Sequence, residues 1–419
     1  MPAFKPVLGV DFGTSNSAAG VLVDGKPQLI RVENDETTLP TAFFFDYDSR
    51  KTLIGRAATD ALINGNNGRF MRALKRVLGT SLMHEKRQIL NQRVTFVEII
   101  AQFLAQIKAR AEAETGLRFD RVLSGRPVHF HANDLERDAR AEADLKACYL
   151  AAGFEEVAFL PEPEAAALAS ATDTNIGRGL IVDIGGGTSD FSLFECRAKG
   201  VEILANHGVR IGGTDFDRAL SVAHVMPLLG KGTRLRKVMG EGLLLAPNAI
   251  FNDLATWEKI PFLYTGATRR KVSEMEKMAA EPERFARLSN VLEAELGHDI
   301  AFAVEAGKIA ANSSAKPARV DLTIIEPTLS ADLDTEALVE TLSSYSQALQ
   351  GGARDVLAMA NVSPSQVDTV VYVGGSSLMS LVPDAMREVF HDAHHRFSGV
   401  FTAVADGLVL AADGHFPKV

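Results

Sequence analysis

The 419 residues of the chain, at ~150 residues per domain, predict about two or three lobes, each able to bury a core of its own. Hydrophobic residues at 46% and charged residues at 23% exclude long disordered or fibrous sequence. Lys plus Arg at 44 against Asp plus Glu at 53, a net charge of -9 with no basic patch, excludes duplex nucleic acid as the main partner.

The two cysteines, Cys148 and Cys196, belong to no Cys-x-x-Cys pair, so neither a disulfide framework nor a cysteine zinc site is expected. Met1 to Gly9 passes straight into a strand pattern without the apolar core of a signal peptide. The most apolar stretch, Phe96 to Ile107, is interrupted by Glu98, Gln102 and Gln106, too polar to cross a bilayer. No membrane partner and a cytoplasmic location are expected.

In chain order, Val7 to Val10 predicts a strand, Asp11-Phe12-Gly13-Thr14-Ser15-Asn16-Ser17 a polar turn, and Ala18 to Val23 a returning strand, with a third strand near Gln28 to Val32. Asn34 to Gly79 reads as loop-rich. Phe96, Ile99, Ile100, Phe103, Leu104 and Ile107 fall at helical spacing and predict a helix reaching Ala113. A strand at Arg121 to Ser124 and a charged helix from Asn133 to Ala152 follow. Leu160-Pro161-Glu162-Pro163-Glu164 precedes an alanine-rich helix, Ala165 to Ala171, whose small side chains allow close contact with another helix. Thr172-Asp173-Thr174-Asn175 reads as a crossing between lobes.

The opening pattern then recurs: Gly179 to Val182 is apolar, Asp183-Ile184-Gly185-Gly186-Gly187-Thr188-Ser189-Asp190 is a turn, and Phe191 to Phe194 returns. A strand ending in Asp, a Gly/Thr/Ser turn and a second strand thus open each half, an internal repeat. A helix opening near Asp215, an irregular stretch from Gly230 to Gly266, helices through Glu274 to Ala311, a strand at Arg319 to Ile325, a helix from Thr335 to Ala360, a strand from Thr369 to Val373 and a terminal helical region complete the chain. Alternating strands and helices in both halves predict α/β lobes with mixed sheets.

A Gly/Thr/Ser turn exposes several backbone N–H groups in one direction, and without Cβ atoms an anion approaches closely; Gly185 to Thr188 suit a phosphate nest. Asp11 and Asp183, ending their strands, suit a hydrated Mg²⁺ held through its waters. One such hairpin alone reads as a plain tight turn; two matched copies favour phosphate binding. Walker and dinucleotide patterns both fail, because Gly230-Lys231-Gly232-Thr233 lacks the adjacent Lys-Ser/Thr and Gly185 to Asp190 lacks the third glycine. Gly374-Gly375-Ser376-Ser377 after Val370 to Val373 offers either bare backbone for a flat nucleoside or a closely packed helix entry. Glu162 suits a water-orienting acid or a solvated helix start, and Lys75 a charge beside a phosphoryl group or a surface lysine. His129, His131, His394 and His395 lack a third ligand and read as loop histidines. Trp257 reads as a local core anchor of the second lobe.

Together, Asp11-Phe12-Gly13-Thr14-Ser15, Lys75-Arg76-Val77-Leu78-Gly79, Glu162-Pro163-Glu164-Ala165-Ala166-Ala167, Asp183 to Asp190, Gly212-Gly213-Thr214-Asp215-Phe216-Asp217 and Gly374-Gly375-Ser376 stand in one order. In that order they resemble the nucleotide-binding domain of the seventy-kilodalton heat-shock chaperones (DnaK type), in the actin and sugar-kinase superfamily. Met226-Pro227-Leu228-Leu229-Gly230 is most similar to the short YegD-type members.

The resemblance implies an α/β, actin-like ATPase (ribonuclease H-like) duplicated fold, with two lobes around a nucleotide cleft. Lobe I is expected over 1–172 with an insert at about 36–104, lobe II over 173–392 with an insert at about 218–308, and a returning helix over 393–419, with no peptide-binding domain. ATP or ADP with Mg²⁺ is the implied cofactor. Asp11, Asp183 and Asp190 would hold the Mg²⁺ shell; Gly13, Thr14, Ser15, Gly185, Gly186, Gly187 and Thr188 would hold phosphates, with Gly212 and Gly213 beside them. Lys75 and Glu162 would position the attacking water, Glu305 and Lys308 would contact the ribose, and Gly374, Gly375 and Ser376 would form the adenosine-side loop.

Ile309 and Leu378 stand where the family places arginines over adenine, and Phe401 where it places an acid. The expected function is slow Mg²⁺-dependent ATP hydrolysis coupled to lobe closure in a chaperone-like monomer with an unidentified client or exchange factor. The rival readings are a sugar or carboxylate kinase of the same superfamily, an actin-like filament former and a non-catalytic nucleotide-binding module.

Overall fold

The protein is described from a computed structural model covering residues 5–131, 134–171, 177–197, 200–237, 241–313, 318–397, 399 and 402–416. The expected lobe crossing at Thr172 to Asn175, and Phe401, lie outside the described residues.

Two five-strand paths dominate. The first uses β1 (Val7–Phe12), β2 (Asn16–Val23), β3 (Lys26–Leu29), β4 (Arg121–Arg126) and β5 (Glu156–Pro161) in the spatial order β5-β4-β1-β2-β3. The second uses β6 (Arg178–Ile184), β7 (Ser189–Arg197), β8 (Gly200–Val209), β9 (Thr369–Val373) and β10 (His394–Arg396) in the order β10-β9-β6-β7-β8. In each, the hairpin strands pair antiparallel while β1 with β4 and β6 with β9 pair parallel. The sequence repeat is therefore a repeat of sheet topology.

Val7, Leu8 and Val10, like Leu180 to Val182, are buried on both sides, as continuous apolar runs at the centre of helix-covered sheets must be. The amphipathic helix Phe96–Thr115 starts at a capping box, Thr95 with Glu98, and buries Ile99, Ile100, Phe103, Leu104 and Ile107 in the core below the first sheet. Thr335–Ala360 runs beneath the second sheet, and there Gly352 leaves room for the Phe191 ring.

A third core joins the sheets: Val7, Leu123 and Leu160 from the first, Ile181, Phe194, Val371 and Val373 from the second, and the helices Glu162–Ala171 and Ala403–Ala411. The alanine-rich helix makes the predicted close contact. A Cβ on Gly407 would fall 1.8 Å from the Ala165 carbonyl oxygen, so only glycine lets the two helices cross at this spacing.

Four expectations change. The stretch from Asn34 to Gly79 is not loop-rich: Ala42–Asp46 is flanked by Thr52–Ile54 and Gly68–Arg72 in a small antiparallel sheet, covered by the helix Arg56–Ile63. Its strands are too short to show period-two alternation, and Ala42 to Asp46 are buried throughout. The stretch from Gly230 to Gly266 likewise holds a hairpin, Arg234–Arg236 with Leu243–Leu245, and the helix Ala249–Leu254. The third strand ends at Leu29, not Val32, and the strand near Arg319 ends at Asp321.

Candidate functional site

The two Asp-ending hairpins meet. Asp11 lies at the end of β1 opposite Ala18, and Asp183 at the end of β6 opposite Asp190. A Cβ on Gly186 would stand 2.9 Å from the Ser15 hydroxyl, so the two turns touch. The second turn is buttressed from behind: Gly213 N–H donates to Gly185 O at 3.0 Å, and Thr214 donates to Gly186 O from its N–H at 2.9 Å and its hydroxyl at 2.6 Å. A Cβ on Gly212 would lie 2.3 Å from Gly187 N, and one on Gly213 would lie 2.3 Å from the Ser376 hydroxyl. Gly374, at φ +79°, brings its Cα beside Asp183; a Cβ there would reach Asp183 Oδ1 at 2.6 Å. Thus Gly185 to Thr188, Gly212, Gly213, Gly374, Gly375 and Ser376 form one bare-backbone wall.

Lys75 enters from the opposite side. It sits in the short 3₁₀ turn Leu74–Val77, behind Ala73 in the left-handed region, and its Nζ donates to Glu162 Oε1 at 2.5 Å. Glu162 is the first residue of its helix, where the helix dipole favours an acid. Burial pushes the Asp11 carboxyl up to about 7, with Glu162 adding to the rise and Lys75 opposing it. Asp183 is raised well above the usual carboxylate range by burial and by Asp190, Glu162 and Asp11. Burial and Glu162 push Asp190 up to about 6. Burial works against the Lys75 ammonium, yet Glu162, Asp11 and Asp183 more than offset it and hold its pKa above the ordinary lysine value. The result is a half-buried cluster of four carboxylates around one ammonium, an excess of acidic groups that a cation would relieve.

The residues fit a hydrated Mg²⁺ better than a bare ion. All are oxygen donors, but no three acids, histidines or cysteines converge closely enough to hold a metal directly among the described residues.

Toward the other end of the cleft, Lys308 is buried and its Nζ pairs with Asp217 Oδ1 at 2.7 Å, while Glu305 is exposed on the same helix, Gly297–Ser313. Burial pushes Asp217 up to about 6, against the pull of Lys308, with Glu305 raising it and Arg72 lowering it. Ile309 and Leu378 are 55% and 44% exposed. Asn312 ties their elements together, donating to Leu378 O at 3.0 Å and accepting from Ser380 N–H at 2.7 Å.

The cleft mouth holds residues the sequence reading missed. Trp257 is not only a local anchor: besides Phe302 and His298 of its own half, it meets Phe70 edge-on and carries the Arg72 guanidinium 3.4 Å from its ring centroid. Arg76 pairs with Glu258 at 3.1 Å and lies against the second turn, since a Cβ on Gly187 would fall 1.7 Å from its Nη2. No local sequence signal pairs a tryptophan with an arginine so far away in the chain. The histidines are otherwise engaged: His131 Nε2 with Leu78 O at 2.8 Å, and His395 Nδ1 with the Tyr372 hydroxyl at 2.7 Å.

A profile of the family described as Hsp70 protein matches residues 7–96 and 86–235, more than half of the chain. A chaperone protein DnaK of Ureaplasma urealyticum serovar 10 is 32% identical over 217 residues, which cover 51% of this chain and 34% of that relative. The match thus spans about a third of the relative's own length. With its duplicated sheets and paired glycine-rich turns, the chain belongs to the Hsp70 family and has that family's actin-like ATPase fold.

Proposed function

We propose that the chain binds ATP and ADP with Mg²⁺ in this cleft, hydrolyses ATP slowly and changes the closure of two lobes with nucleotide state, as a chaperone-like protein of the YegD type. The lobes would be 1–172 and 173–392, with inserts at about 36–104 and 218–308, and the 393–419 segment would return to the first lobe. The observation that carries the reading is the convergence of Lys75, Glu162 and the half-buried Asp11, Asp183 and Asp190 beside the glycine-rich turns.

The roles follow from charge and position. Backbone N–H groups of the two turns, at Gly13 to Ser15 and at Gly186 to Thr188, would donate hydrogen bonds to the β- and γ-phosphate oxygens, while the Gly185 N–H closes its own turn by donating to Thr188 O. Asp11, Asp183 and Asp190 would hold the waters around Mg²⁺, which when bound neutralises phosphate charge. The Lys75 ammonium would face the transferring phosphoryl group, held there by Glu162, whose carboxylate would also orient a water. No covalent nucleophile is required, because phosphoryl transfer depends on positioning and electrostatic stabilisation. Lys308 would support the ribose through Asp217, Glu305 would contact it from the exposed side, and the base would lie between Ile309 and the Gly374 to Ser376 loop. Cytoplasmic location, monomeric state and a protein client or exchange factor belong to the same proposal.

A thermal-shift panel with ATP, ADP, GTP and Mg²⁺ tests it, because a ligand that binds only the folded state raises its stability by about 2.7 kcal/mol at a hundred times Kd. A rise with Mg²⁺ plus ATP or ADP supports the reading; melting unchanged by every nucleotide rejects it.

A further inference from the structure

The hairpin Arg234–Arg236 with Leu243–Leu245 is anchored on one side only. Leu235 is buried in the core, Ala280 N–H donates to Arg234 O at 2.8 Å, and Leu235 bridges Ala279. The inner strand is thus fixed to the body, whereas among the described residues no strand pairs with the outer side of Leu243–Leu245. Register decides which groups face outward. Lys237 N–H donates to Gly242 O at 3.2 Å and Ala246 N–H to Thr233 O at 2.9 Å, and the opposed pairs run Arg234 with Leu245, Leu235 with Leu244, and Arg236 with Leu243. Hydrogen-bonded pairs alternate along an antiparallel ladder, so Leu244 turns its N–H and C=O inward, and Leu243 and Leu245 turn theirs to the open edge.

The three leucines are 48%, 56% and 69% exposed. Natural sheets guard free edges with lysine, proline or a bulge; within Leu243–Leu245 there is none, and an unguarded apolar edge is a ready template for another strand. Charge narrows the choice of occupant. Arg234 and Arg236 lie on the same face as Leu245 and Leu243, and the exposed Lys237 lies next to them, a cationic rim on a chain of net charge -9.

We propose that Leu243–Leu245 is a docking edge for an extended acidic-apolar segment of a partner protein, added as a third strand to this hairpin. Backbone groups of Leu243 and Leu245 supply the ladder, the leucines cover the partner's apolar side chains, and Arg234 and Arg236 attract its carboxylates. The edge shares no residue with the proposed nucleotide site, so its docking is proposed to need no nucleotide.

Fluorescence anisotropy of the full chain tests it with three labelled heptapeptides: one alternating Val and Leu flanked by Glu, the same with Lys in place of Glu, and the acidic one with a central Pro. The acidic peptide should bind about tenfold more tightly than the other two. Leu245→Pro removes an outward N–H while leaving the inner ladder intact, and Leu243→Glu places on the edge a charge that repels the acidic peptide; each should weaken binding about tenfold with unchanged far-ultraviolet dichroism. If Leu245→Pro fails to fold, Leu243→Glu decides. No acidic-peptide binding, equal affinity for acidic and basic peptides, or binding untouched by the edge variants overturns the proposal. So does a concentration-dependent dimer that these variants abolish, since the occupant would then be a second copy of the chain.

Discussion

The Arg72 guanidinium lies 3.4 Å from the centroid of the Trp257 ring, joining the small sheet of the first half to the irregular stretch of the second over the cleft mouth. Burial holds Arg72 below the ordinary arginine range, against the pull of Glu305, Glu258 and Asp217. Trp257 is the only tryptophan in the chain, so its emission reports this contact directly. A cation–π pair of this kind is worth about 0.5–2 kcal/mol, so Arg72→Ala should speed nucleotide dissociation about two- to thirtyfold and shift tryptophan emission to the red. Stopped-flow release of a fluorescent ADP reads the first effect. Dissociation at the wild-type rate, together with unchanged emission, would remove the contact from any role in closure.

Two glycines of the nest should behave in opposite ways. At Gly212 an added Cβ meets backbone, Gly187 N at 2.3 Å, which cannot yield without deforming the turn. Gly212→Ala should therefore lower stability by about 1–3 kcal/mol and abolish nucleotide binding. At Gly187 the added Cβ meets only the tip of Arg76, which can swing away. Gly187→Ala should keep the fold and lose the Arg76–Glu258 pair. Urea melts of both variants check the contrast; equal destabilisation would contradict it.

Both elements that form this nest were visible in the sequence, for a physical reason. An Asp, a run of glycines and an apolar return strand with Phe191, Leu193 and Phe194 are local, so Asp183 to Asp190 could be placed without knowing its neighbours. Thr335–Ala360 and Thr369–Val373 were equally legible, being long and periodic or apolar and sharply bounded. Trp257 was not, because its partners Phe70 and Arg72 come from a distant sheet whose strands run only three to five residues. Asp217 lies in a legible motif, Gly212 to Asp217, but its pairing with the buried Lys308 joins residues far apart in the chain and is visible only in the fold.

The carboxylate well makes stability depend on pH. Asp11 at about 7 and Asp190 at about 6 both stand above their usual 3.8. The folded state therefore binds protons that the unfolded chain has released. Their stabilising contribution is complete below about pH 4 and is lost as pH rises through about 7. Without metal the protein should melt lower at about pH 8 than at about pH 5, and Asp11→Asn should flatten this slope. Mg²⁺ should recover the high-pH stability with release of protons. Calorimetric melts across this range check the sign, and a metal-free protein more stable at the alkaline end would refute it.

In the proposed site the base would meet the exposed apolar side chains of Ile309 and Leu378, with no guanidinium plane at either position. Restoring one, by Ile309→Arg or Leu378→Arg, should tighten ATP binding about two- to thirtyfold, the range of a cation–π contact. The wild-type chain should discriminate poorly between ATP and GTP. Calorimetry that finds tight, adenine-specific binding in the unmodified chain would contradict this account of the base seat.

The Lys75–Glu162 pair bears most directly on whether the cleft does chemistry. Single-turnover phosphate release from Mg·ATP, compared between the wild type and Lys75→Ala at saturating nucleotide, is the deciding measurement. Slow Mg²⁺-dependent release that falls about a hundredfold in the variant, with ATP still bound, is the predicted result, in line with loss of one preorganised charge at a reacting group. Equal release from both proteins, or tight ATP binding by the wild type with no release at all, would contradict hydrolysis in this cleft.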